Sequence, residues 1–70
     1  MSMICISINN KDYKLQEDST VDAAINLVEG LPKRGIAIAV NNEVVPSAQW
    51  NTKKLSDGDR LTVIKAFYGG

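Results

Sequence analysis

The chain has 70 residues, with 8 Lys and Arg side chains against 8 Asp and Glu and no histidine, so its formal net charge is zero. That length closes one small domain, burying roughly 60% of its unfolded surface, and leaves no room for a second. A neutral chain has no broad field with which to hold nucleic acid or anionic lipid, and a single cysteine, Cys5, excludes an internal disulfide and a Cys/His zinc cage.

Met1-Ser2-Met3 offers no positively charged lead into a long apolar run, and no window approaches the ~18 apolar residues of a membrane span. A cytoplasmic protein that contacts neither membrane nor nucleic acid is expected. In residues 3–8 the side chains alternate, with Ile4, Ile6 and Ile8 on one face and Met3, Cys5 and Ser7 on the other, as in a half-buried strand. Residues 9–12 read as a turn, because Asn9 and Asn10 tolerate positive φ, and residues 13–16 return as the second arm of an antiparallel hairpin.

Ser19 or Thr20 can cap the next element, and Asp22, three residues on, supports Ser19. Val21, Ala24, Ile25 and Val28 follow at helical spacing on one stripe, Gly30 suits a left-handed stop, and Pro32 discourages continuation. The spacing predicts a short helix over 21–29. Residues 36–40 are an apolar strand, Asn41-Asn42 a second turn, and Val44-Val45 a fourth strand that Pro46 ends. Residues 47–50 form one helical turn, with Trp50 covering the edge of the core. Asp57-Gly58-Asp59 is a tight turn, and the two carboxylates serve it rather than a metal or acid/base pair. The last strand covers 60–67, with Leu61, Val63, Lys65 and Phe67 on one face and Thr62, Ile64, Ala66 and Tyr68 on the other.

Hairpin, helix, two short strands, irregular crossover and long last strand make an α+β fold, a mixed sheet with one helix packed on one face. That is the β-grasp, ubiquitin-like arrangement. It sets the last strand beside the first, both central, so that the residues from about 66 to 70 leave the body as a tether of some ~15 Å or more. The tether ends in Gly69-Gly70. Lacking Cβ atoms, this pair can thread a narrow slot in a partner enzyme, Gly69 as the threading residue and Gly70 presenting an α-carboxylate that is ionised at neutral pH. Ile64 is expected on the open face of the sheet near the tether, as a partner contact. Tyr68 is expected to join it, and Phe67 either does so or closes the core. Cys5 reads as a small strand residue, and Arg60, Lys54 and Lys65 as solvated faces.

Val40-Asn41, Val44-Val45-Pro46, Trp50, Asp57-Gly58-Asp59 and Gly69-Gly70, in that order over nearly the whole chain, resemble the ThiS family of sulfur carriers of thiamine biosynthesis. The chain departs from the family's pattern at Ser47, where a basic residue often follows the proline, and at the bulky Phe67 and Tyr68. The resemblance implies a non-enzyme, a protein co-substrate that binds no cofactor of its own. An adenylyltransferase related to ubiquitin activators, using ATP and Mg²⁺, would adenylate Gly70. A persulfide sulfur donor would convert it to a thiocarboxylate, and thiazole synthase would take the sulfur. The same tail would also suit a carrier for molybdopterin or cysteine synthesis or a ubiquitin-like modifier, and a β-grasp module that binds without covalent chemistry would not use it.

Overall fold

The computed structural model describes residues 2–28, 30–31 and 35–65. Five strands form one mixed sheet: β1 (Met3–Ile8), β2 (Lys11–Gln16), β3 (Ile36–Val40), β4 (Glu43–Val45) and β5 (Arg60–Lys65). Their order across the sheet is β2-β1-β5-β3-β4. β5 runs parallel to β1 and antiparallel to β3, so the last strand does lie beside the first, in the interior of the sheet. The remaining pairs, β1 with β2 and β3 with β4, are antiparallel hairpins.

Both hairpins close on two asparagines. Asn9 and Asn10 have φ of 49° and 69°, and Asn41 and Asn42 of 52° and 70°. Positive φ at both central residues gives the turn whose twist matches that of the flanking strands. Two residues therefore suffice. The register pairs Ile8 with Lys11 and Val40 with Glu43, so β2 begins at Lys11 and β4 at Glu43. The four-residue turn expected over 9–12 is thus two residues too long.

The one α-helix among the described residues, α1 (Val21–Ile25), is shorter than the predicted 21–29, and its cap is Thr20. Thr20 Oγ1 accepts from Ala23 N at 3.4 Å, whereas the Ser19 hydroxyl turns back to donate to Gln16 O at 2.7 Å. The two N–H groups ahead of Ala23 are satisfied from the crossover: Val21 N donates to Lys53 O and Asp22 N to Trp50 O, each at 3.0 Å. The N–H groups of the first three helical residues are thereby all used, which fixes the start at Val21. At the other end Leu27 N and Val28 N bond three residues back, to Ala24 O and Ile25 O at 3.1 Å, so the coil tightens and α1 ends at Ile25. Gly30 takes the expected left-handed conformation, φ 74°, but five residues past the end of α1, whose C-cap is Asn26, so it does not stop the helix.

The expected stripe packs onto the sheet as predicted. Val21 and Ala24 are fully buried, Ile25 nearly so, and Val28 lies against the cluster. From the sheet they meet Ile4, Ile6, Ile8, Leu15, Ile38, Val40, Val45 and Leu61. Burying each such side chain is worth roughly 1.5–3 kcal/mol. Beyond β4 a single 3₁₀ turn (Ser47–Gln49) carries the chain to Trp50, which is buried and donates from Nε1 to Val45 O at 2.9 Å. The ring closes the core edge, as expected, and satisfies a carbonyl of an edge strand.

Candidate functional site

The strand period that buries one face of the sheet presents the other to solvent. On β5, Leu61 is buried and Val63 half-buried beneath the helix, and Ile64 emerges on the open face, 48% exposed, as the alternation predicts. Register extends this outward. Ile64 lies opposite Ala37 of β3, and Ala39, two residues on, lies between Thr62 of β5 and Val44 of β4. Val44 is 63% exposed. Ile64, Ala37, Ala39 and Val44 therefore form one apolar strip across three strands. Ala37, Ala39 and Val44 are all absent from the sequence reading of the site, although the alternation of Val44 with buried Val45 carries the signal.

The β1–β2 half of the same face is mostly polar, with exposed Met3 at the start of β1. Ser7 stands between Asp12 and Arg60, and Cys5 is opposite Lys14. Cys5, Ser7, Asp12, Asp57 and Arg60 line an open cleft of about 240 Å³. The Cys5 side chain is exposed on the face opposite Ile4, Ile6 and Ile8, where its parity puts it.

The segment before β5 is a turn, as Asp57-Gly58-Asp59 suggests. Gly58 has φ 87° with open space about its Cα, so the backbone conformation rather than crowding demands glycine. Asp57 Oδ1 accepts from Cys5 N at 2.7 Å and Gly58 N donates to Cys5 O at 2.8 Å, which continues the edge of β1 where β5 has not yet begun. Asp59 Oδ2 accepts from Ser56 N at 2.8 Å and its Oδ1 from Asn41 Nδ2 at 3.0 Å. Both carboxylates are thus committed to backbone and turn. Among the described residues no group of three or more His, Cys, Asp or Glu side chains could hold a metal ion, and no helix is long and apolar enough to cross a membrane.

β5 ends, within the described residues, at Lys65, paired with Ile36. Being parallel to β1, it exits at the same end of the sheet as the Asn9-Asn10 turn. Gly69 and Gly70, with Phe67 and Tyr68, lie outside the described residues. Of the expected site residues the structure therefore places Ile64.

The model of the ThiS family matches residues 6–70. The chain belongs to the ThiS family. Within that family it is 37% identical over 46 residues to the sulfur carrier protein ThiS of Escherichia coli K12, a match covering 63% of this chain and 70% of that one. The crystal structure of the thiamine biosynthesis protein ThiS from Geobacter metallireducens superposes with a TM-score of 0.79 at 17% identity, covering 96% of this chain and all of that one. A chain from the complex of subunits 1 and 2 of the molybdopterin-converting factor of Helicobacter pylori superposes less closely, with a TM-score of 0.56 at 19% identity, over 99% of this chain and all of that one. At these identities the two structures speak for the fold. It is the β-grasp fold expected for a ThiS-family chain.

Proposed function

We propose that this chain is a sulfur carrier of thiamine biosynthesis, modified at the Gly70 carboxylate and acting as a co-substrate rather than an enzyme. The observation that carries the reading is the family match, which runs from residue 6 through residue 70 and so includes the glycine pair. The 37% identical relative is named a sulfur carrier protein, and the similarly folded ThiS of Geobacter metallireducens, a thiamine biosynthesis protein, directs the reading to thiamine.

The chemistry follows from the poor leaving ability of a carboxylate oxygen. An adenylyltransferase related to ubiquitin activators joins Gly70 to AMP from MgATP with release of pyrophosphate, its own cations and Mg²⁺ stabilising the charge that develops on phosphate. The terminal sulfur of a persulfide donor then attacks the acyl carbon, AMP leaves with the bonding electron pair, and a thiol reduces the resulting acyl disulfide. The product is a thiocarboxylate. Its sulfur is the nucleophile presented to thiazole synthase. Nucleotide and metal act in the partner, and the carrier itself binds none. The reducing cytoplasm suits both the thiol step and the free Cys5.

Docking is assigned to the apolar strip beside the exit of β5. Ile64 and Val44 leave apolar surface in water that a partner would cover, and the strip adjoins the strand from which the last residues continue. Tyr68 and Phe67 extend this contact toward the enzyme, and Gly69 passes its narrow entrance.

Incubation with the cognate adenylyltransferase, MgATP and a persulfide source is expected to raise the intact mass by the difference between a sulfur and an oxygen atom, while the chain lacking Gly69 and Gly70 stays unmodified and folded. A full-length chain that never gains this mass defeats the carrier reading. Transfer from the thiocarboxylate to thiazole synthase, tested beside molybdopterin synthase, separates thiamine from the other product.

A further inference from the structure

The two flanks of β5 hold it unequally. On the β3 side five residue pairs run from Val40 with Leu61 to Ile36 with Lys65. On the β1 side strand pairing stops at Ile8 with Leu61. Past that point the chain of β1 has turned away, and Asn9 takes its place. Its backbone N–H donates to Leu61 O at 3.0 Å, and its side-chain Oδ1 accepts from Val63 N at 2.9 Å. The side-chain amide supplies Val63 with the acceptor that a continued β1 would have supplied from its backbone. Asn41 does the same at the start of β5, where its Oδ1 accepts from Arg60 N at 2.9 Å.

The Asn9 bond is the last on the β1 flank among the described residues, one position before Ile64. We infer that Asn9 is a positioning residue for the activation of this carrier: its side chain fixes the end of β5 against β1, so that the residues after Lys65 start toward the partner from one place. The inference rests on the carrier reading. Without that acceptor the end of β5 is held from β3 alone, and the ordering it has lost must be supplied when the enzyme binds. Such a cost appears in KM and leaves kcat unchanged, because the bound complex is the same.

Asn9 also has a plain duty, the positive φ of its turn. Two substitutions separate the duties. Asn9→Gly keeps the left-handed conformation without strain and deletes only the acceptor, whereas Asn9→Asp keeps both the acceptor and the tolerance of positive φ. The test measures amide hydrogen exchange of Val63 relative to Ile38 of β3, together with KM and kcat for thiocarboxylate formation by the cognate adenylyltransferase. In Asn9→Gly, Val63 exchange is expected to rise about five- to tenfold against Ile38, as for the loss of one net hydrogen bond, with a KM increase of similar size and an unchanged kcat. Asn9→Asp restores both. Unchanged Val63 exchange, a rise shared equally by Ile38, or an unchanged KM overturns the positioning role. A wild-type chain that the enzyme never activates defeats the carrier reading instead, and the exchange ratio then still decides whether Asn9 anchors β5.

Discussion

The two faces of this sheet are built from the same few residue types and do opposite things. Beneath the helix, Ile6, Ile38 and Leu61 are at most 2% exposed, and on the far side Val44 and Ile64 stand 63% and 48% in water. Isoleucine and valine on one face are stability, and on the other they are surface left for something else to cover. Side-chain chemistry does not separate the two roles. Strand parity does, since a shift of one residue carries a side chain from core to solvent.

The harshest way to break this contrast is to truncate one residue from each face of the β3–β4 hairpin. Ile38→Ala empties a fully buried position and is expected to cost about 2–5 kcal/mol. A core of this size supplies no more than ~3–5 kcal/mol, so the variant should be largely unfolded at 25 °C, as read by urea titration of its circular dichroism. Val44→Ala, on the other side of the same hairpin, should stay within about 0.5 kcal/mol of the parent. Equal losses at the two positions would mean that the open face is not open.

The contrast was largely legible in the sequence because it is periodic. Alternation in β1 and β5 puts Ile4, Ile6, Ile8 and Leu61 inward and Cys5 and Ile64 outward, and the 3.6-residue stripe gives Val21, Ala24 and Ile25 to the core. What the sequence hides is whatever depends on distant partners. Ser19 and Thr20 are equivalent caps by local rules, and carbonyls of Trp50 and Lys53, some thirty residues away, are what set the helix start at Val21 and leave Thr20 as the cap. Val28 continues the apolar stripe, yet the backbone has already tightened at Leu27, since burial of a side chain does not require an α-helical bond at its own amide. Lys11 and Asp12 look like loop residues by polarity, although a two-residue asparagine turn returns them to β2. The Asn9 and Asn41 side chains reach 54 and 19 residues along the chain, a pairing that no turn propensity announces.

A milder perturbation sharpens the boundary of the buried face rather than its middle. Trp50 closes the core edge and its Nε1 holds the carbonyl of Val45, a residue on an edge strand. Trp50→Phe keeps an aromatic ring but deletes this buried hydrogen bond, and the expected cost is about 0.5–1.5 kcal/mol. The midpoint of denaturation should fall with the slope unchanged, because the same surface is exposed on unfolding. A change in slope would instead report that the crossover from Ser47 onward had come away from the sheet.

The smallest effect on stability is expected on the open face, where the proposed effect is on recognition. Ile64→Thr keeps a β-branched side chain in a strand position, so the ladder to Ala37 is undisturbed, and with about half the side chain already in water the loss should be no more than about 0.5 kcal/mol. What it removes is apolar area from the strip that Ala37, Ala39 and Val44 complete. If that strip seats the adenylyltransferase, KM for activation rises and kcat holds, because the contact at Ile64 does not touch the carboxylate being activated and is made equally before and during the chemical step. Paired with Ile38→Ala the variant gives a clean separation: one substitution removes the fold, and the other leaves the fold and weakens recognition. Were Ile64→Thr activated with an unaltered KM while Val44→Thr also was, the open face would be surface without a partner, and recognition would have to rest on the residues beyond Lys65.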